Sequence, residues 1–111
     1  MGKGGVVYLL GDTSNDGIYK IGVTRGDIQK RINRLQTGNS GEIYVIKTYE
    51  TKFPFFLESH LHRKFAPYKV LNEWYELDKE TVSSFKDVCV SIEEMIEALK
   101  SNPFFKYDKL K

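Results

Sequence analysis

The chain has 111 residues, of which 41% are hydrophobic and 14% aromatic, and its formal net charge is +2. This length suffices for one compact domain over residues 1–111, and the composition excludes a disordered chain. No apolar run approaches the ~20 residues that cross a bilayer, so we expect no membrane partner. The only cysteine, Cys89, excludes an internal disulfide and is typical of an intracellular protein of the cytoplasm or nucleus.

The charges are separated along the chain. Residues 19–36 contain one anion and five cations, whereas residues 76–97 contain seven anions and two cations. A phosphate-binding side with an acidic back would produce this pattern, although ordinary surface variation would also do so. We expect the basic side to contact nucleic-acid phosphates through Lys20, Arg25, Lys30, Arg31 and Arg34.

The first half of the chain predicts a hairpin followed by a helix. Residues 6–10 and 18–24 are β-prone runs, and the turn residues 15–17 lie between them. The helix begins after Asp27, which can cap it, and Gly38 can end it. Its apolar residues recur at helical spacing: Ile28, Ile32 and Leu35.

The second half predicts a strand over residues 42–51, a helix within residues 53–67 and a final strand over residues 70–77. The motif core thus spans residues 6–77, and a helical extension occupies residues 78–111. The order is ββαβαβα, a compact α+β domain with a small, mainly antiparallel sheet flanked by helices.

The extension begins at Asp78, a capping residue, and its apolar positions step by three and four. Ser91 and Glu94 resemble a capping box, which indicates two helices rather than one. Cys89 lies on the apolar stripe, where a buried structural thiol is expected rather than a nucleophile. The aromatic, basic tail from Ser101 is either docked or frayed.

Five polar residues border the predicted sheet. Tyr8 and Lys20 belong to paired strands, Arg31 stands beside the apolar stripe of the first helix, and Glu58 and His62 share one helix face. Such a set can form a phosphodiester hydrolysis site. The carboxylate of Glu58 would hold a hard divalent cation, Arg31 would grip the phosphate, and Tyr8 would orient or deprotonate the attacking water.

The same residues lie in motifs that resemble the GIY-YIG nuclease superfamily, and most closely its small phage- and large-virus-type branch. The resemblance covers residues 6–77 and rests on "VVYLL", "KIG", "IQKRINRL", "LESHLHRKF" and "NEWYEL" in that order. It implies a Mg²⁺- or Mn²⁺-dependent DNA endonuclease or nickase with Tyr8 in the first motif, Arg31 on the first helix and Glu58 as the metal ligand. The family often carries a late asparagine, roughly at Asn72.

Two positions depart from the family motifs. The first motif, Gly-Ile-Tyr, is Val6-Val7-Tyr8, and Lys20 stands where the second motif has a tyrosine. Tyr19 precedes Lys20, but strand side chains alternate between faces, so Tyr19 cannot take that place.

Simpler interpretations remain open for each residue alone: surface charges for the arginines, packing for Tyr8, and an exposed helix pair for Glu58 and His62. At the level of function, one alternative is a binding module of the same fold without cleavage. Another is a protein-interaction domain that uses the acidic C-terminal helix. A nuclease of this kind reads few bases, so its sequence specificity is low or comes from a partner protein.

Overall fold

Five strands form one antiparallel sheet, which confirms the α+β class. The computed structural model of the chain describes residues 4–101. In space the strands follow the order β3-β1-β2-β5-β4, and every neighbouring pair is antiparallel. The strands are β1 (Gly5–Asp12), β2 (Ile18–Thr24), β3 (Ile43–Thr51), β4 (Lys69–Leu71) and β5 (Trp74–Glu76).

The helices flank the sheet, and their predicted caps are confirmed. The Asp27 carboxylate accepts a hydrogen bond from the Gln29 amide at 2.8 Å, and Gly38 adopts a positive φ of 79° just beyond the helix end. No helix within residues 4–101 has the length and apolar character needed to cross a bilayer. The helices are α1 (Ile28–Gln36), α2 (Pro54–Lys64), α3 (Lys79–Ser83) and α4 (Phe85–Lys100), with a 3-10 turn at Ala66–Tyr68 between α2 and β4.

The single strand predicted over residues 70–77 is wrong, because β4 and β5 form a tight hairpin there. The chain reverses at Asn72, whose φ of 54° lies in the left-handed region that asparagine tolerates better than most residues. Glu73 follows Asn72 and is therefore a turn residue. The hairpin adds an edge strand to the sheet.

The C-terminal region contains two helices, as predicted, but the break is not at Ser91. The chain breaks at Ser84, and α4 continues through Ser91 without interruption. Asp78 caps the first of these helices by accepting from the Thr81 amide at 2.8 Å. The aromatic, basic tail from Asn102 onward lies outside the described residues, so the two alternatives for it stay predictions.

The sheet has a core on each face because side chains alternate along its strands. Val7, Leu9 and Ile21 pack on one face against α2 and α4. Tyr8 and Leu10 pack on the other face with residues of α1. Cys89 is fully buried in the first core, as predicted, and burial with the nearby Glu93 charge raises its thiol pKa to about 12, which makes it a poor nucleophile.

A buried carboxylate, Asp12, ties two loops together at one end of the sheet. One oxygen accepts from the amide and hydroxyl of Ser14, and the other accepts from the side-chain amides of Asn15 and Asn39. Burial raises the pKa of Asp12, but these hydrogen bonds outweigh it and leave the pKa below its usual value. The charged form of Asp12 therefore stabilises the fold.

Asp12→Asn should lower the free energy of unfolding at neutral pH by about 1–3 kcal/mol. The side-chain NH2 groups of Asn15 and Asn39 would then face the NH2 group of the new asparagine, which cannot accept their hydrogen bonds. The lowered pKa places the stabilising contribution of Asp12 above its unfolded pKa of about 3.9, and it is lost as the pH falls below that value. Urea unfolding from pH 6 to 3 should show the gap between the two proteins closing. Asp16→Asn, at an exposed position, is the control; a constant gap would contradict the assignment.

Candidate metal and phosphate site

The candidate site lies where β2 loses its neighbouring strand. The strand β5 pairs with only three residues of β2, Ile18 to Lys20. Ile21 still donates its amide to the Glu73 carbonyl at 3.1 Å, but beyond it β2 has no strand on that side within residues 4–101. Side chains from both faces of the sheet can therefore meet at this edge.

Tyr8 reaches the edge because the residue opposite it has no side chain. Tyr8 pairs with Gly22 across β1 and β2, and a Cβ atom at Gly22 would lie only 2.4 Å from the Tyr8 hydroxyl oxygen. Glycine at this position allows the phenol ring to lie across β2. The close approach that justifies a glycine inside this strand is thus made by Tyr8 itself.

Three side chains of the types that ligate metal ions converge at the same edge. Glu58 and His62 are one turn apart on α2, and Glu73 comes from the β4–β5 turn. One ligand atom from each lies within 4.8 Å of the others, and His62 Nε2 is 3.5 Å from Glu58 Oε2. The α2 side chains are 18% and 22% exposed, so they border the core without lying in it, as predicted.

His62 is oriented by a buried tyrosine. A hydrogen bond joins His62 Nδ1 and the hydroxyl of Tyr75, which is fully buried in the sheet. The other nitrogen, Nε2, is buried and has no hydrogen-bond partner within the described part of the chain. When Nδ1 donates its proton to the Tyr75 oxygen, the Nε2 lone pair faces the carboxylates, which is the arrangement that a metal ligand requires. The donor set fits a divalent cation.

Lys20 joins this group through Glu73. Its ammonium donates to Glu73 Oε1 at 2.8 Å, and it lies 5.7 Å from the centroid of the Trp74 ring. Lys20 also lines an open pocket of about 430 Å³ together with the three possible metal ligands, Lys69 and Asn72. Glu73 is absent from the predicted site residues because the sequence pattern predicts a continuous strand over residues 70–77. The polar pair Asn72-Glu73 in that segment is the signal that indicates a turn.

Tyr8 and Arg31 stand at the border of the site. Burial raises the pKa of the Tyr8 hydroxyl; Glu73 and Glu58 raise it further, while Arg31 and Arg34 lower it. Tyr8 is therefore protonated at neutral pH. Arg31 is half-buried with its Nε atom unpartnered in the same part of the chain, whereas Arg34 is exposed.

The remaining predicted cations lie apart from the pocket. Lys30 is exposed on α1. Arg25 follows the far end of β2, where its guanidinium lies 4.9 Å from the centroid of the Phe55 ring. It lines a different pocket, which also contains Glu50 and Glu93. The five cations predicted to bind phosphate therefore do not lie together around one pocket.

The fold is a small α+β domain, and a family match relates it to nucleic-acid-associated proteins. The model of the T5orf172 domain family matches residues 5–90, and the chain belongs to this family. The domain is found in phage-type and nuclease-associated proteins. Comparisons with curated proteins and with solved structures gave no significant match.

Proposed function

We propose that this protein is a divalent-metal-dependent DNA endonuclease or nickase of the GIY-YIG type. The convergence of Glu58, His62 and Glu73 at the edge of β2, with Lys20 bound to Glu73, is the observation that carries the proposal. The T5orf172 match supports a nuclease-like module of this kind. The buried Cys89 thiol suits a reducing compartment inside the cell, in the cytoplasm or nucleus, where DNA is found.

The donor set suits Mg²⁺ or Mn²⁺. Carboxylates suit both ions, and an imidazole is a better ligand for Mn²⁺ than for Mg²⁺. When bound, such a cation neutralises charge that develops on a scissile phosphate and its leaving oxygen. Glu58 and His62 would hold it from α2, and Glu73 would hold it through the oxygen that Lys20 does not engage.

The other residues of the site act on phosphate and water. Arg31 has a buried nitrogen without a partner in residues 4–101, so its guanidinium can bind a phosphate in a forked geometry. Tyr8 keeps its proton at neutral pH because its pKa is raised; it orients the attacking water by a hydrogen bond in preference to deprotonating it. All these contacts are to phosphate or water, so we propose low sequence specificity, with any further selectivity supplied by a partner protein.

One observation favours a second candidate, a DNA-binding module without cleavage. Lys20 replaces the tyrosine of the second family motif, and its ammonium occupies one oxygen of Glu73. If this ion pair persists when DNA binds, the cation loses part of one ligand. The two candidates differ in one outcome, metal-dependent nicking of supercoiled plasmid.

Glu58→Gln should reduce plasmid nicking to the level of a metal-free sample while DNA binding in EDTA stays unchanged. The substitution preserves size but removes the negative charge that a hard cation requires. Glu94→Gln, an exposed position on α4, is the matched control and should nick like the wild type. Cleavage by Glu58→Gln at the wild-type rate would contradict the role of Glu58.

The substitutions Arg31→Ala and Arg34→Ala, one turn apart on α1, should affect different quantities: the first the cleavage rate and the second the affinity for DNA. Loss of a transition-state contact at the half-buried Arg31 should lower the single-turnover cleavage rate at saturating DNA by ~10²–10³-fold. Arg34 is exposed, and its loss should weaken binding and leave the saturated rate nearly unchanged. Equal, small effects in both variants would show that α1 carries only a solvated basic face.

A further inference from the structure

A basic surface lies between α2 and the β4–β5 turn. Three large apolar side chains are exposed there within four residues: Tyr68 at 56%, Val70 at 56% and Leu71 at 65%. Exposed apolar clusters of this kind on a small soluble domain commonly mark an interaction site. With the exposed cations around them they form a surface that we call the 63–71 strip: Arg63, Lys64, Tyr68, Lys69, Val70 and Leu71.

All the charged residues of the strip are positive. Residues 63–71 contain three cations and no anion. None of the three cations makes an ion pair with any residue in the range 4–101. Their charges are therefore available to a polyanion, and the apolar side chains between them offer contact area that phosphate alone would not use.

The strip is continuous with the candidate site. Lys69 belongs to the strip and also lines the pocket that contains Glu58 and His62. Leu71 precedes the turn from which Glu73 enters the same pocket, and the turn is fixed by the bonds of Glu73 to Lys20 and to the Ile21 amide. A duplex with one phosphate in the pocket must pass over a neighbouring surface, and this one carries the complementary charge.

We propose that the 63–71 strip is a DNA-contact surface that lies against the duplex next to the scissile phosphate. Arg63, Lys64 and Lys69 contact phosphates, while Leu71 and Tyr68 pack against sugars and base edges in the minor groove. Apolar side chains at such a position can widen or open a base step. The inference rests on the proposed function for the register of the DNA, but binding can be measured without cleavage.

The charges are tested by anisotropy with a labelled 30-base-pair duplex in EDTA, where the site has no metal to cleave with. The slope of log K against log salt is negative, and each lost phosphate contact should make it shallower by about 0.9. The double variant Lys64→Ala/Lys69→Ala should therefore make it shallower by about 1.8. Lys79→Ala/Lys86→Ala removes two exposed lysines within the acidic C-terminal region and should change the slope little. Equal slopes for the two doubles would overturn the proposal.

The apolar part is tested separately with Leu71→Ala. We expect binding about tenfold weaker at every salt concentration with an unchanged slope, because a desolvated contact is lost and no phosphate contact is. Met95→Ala, an exposed apolar position on α4, should bind like the wild type. In a series of duplexes with 2-aminopurine at successive positions, its fluorescence should rise at one base step when the wild type binds. It should not rise when Leu71→Ala binds.

Other occupants of the strip give different results. If the strip binds a membrane instead, the Lys64→Ala/Lys69→Ala variant should lose binding to anionic phosphatidylserine vesicles but keep its affinity for DNA. If the strip joins two copies of the chain, sedimentation should show a dimer for the wild type and a monomer for Leu71→Ala. Either result with unchanged DNA binding overturns the proposal. Reduced DNA binding in the strip variants supports it even if no cleavage is found in Mg²⁺ or Mn²⁺, which would contradict the proposed function alone.

Discussion

The short pairing between β5 and β2 is the constraint on which the site depends. If β5 paired with the whole length of β2, a strand would lie beside Gly22 and would keep side chains from the two faces of the sheet apart. Instead pairing stops at Lys20, and the tight β4–β5 turn leaves Glu73 at the end of the ladder. Tyr8 from one face and the α2 residues from the other then approach the same edge. A glycine opposite Tyr8 completes the opening.

The charges at this edge depend on one another. Lys20 is nearly buried, and Glu73 is the partner that makes its burial tolerable. Burial raises the pKa of Tyr8, Arg31 lowers it, and the charges of Glu73 and Glu58 raise it further. A cation beside Glu58 and Glu73, or a phosphate beside Arg31, would change this balance. Neutralising one member should therefore alter the others, and effects of substitutions here should not be additive.

Local patterns predicted much of the fold. Strand alternation, the Asp27 cap and the helical spacing around Leu57 and Leu61 are short-range signals, and the elements they predicted are present. The β4–β5 hairpin was missed because the β-prone residues Val70, Trp74 and Tyr75 favour one strand, whereas the chain reverses at Asn72, which has a left-handed conformation. Glu73 was therefore missed, although the polar pair Asn72-Glu73 marks a turn, and the Tyr75 contact to His62 has no signal in the sequence. Long-range pairing, here between residues 20 and 73, leaves no periodic trace in a sequence.

The central claim is that Glu58, His62 and Glu73 hold one divalent cation. A crystal soaked with Mn²⁺ and examined by anomalous scattering tests it most directly. We predict a single strong peak at coordination distance from His62 Nε2 and from a carboxylate oxygen of Glu58, with Tyr75 still bonded to Nδ1. A peak elsewhere, for example beside Glu50 and Glu93, or no peak at Mn²⁺ concentrations that support cleavage, would contradict the account.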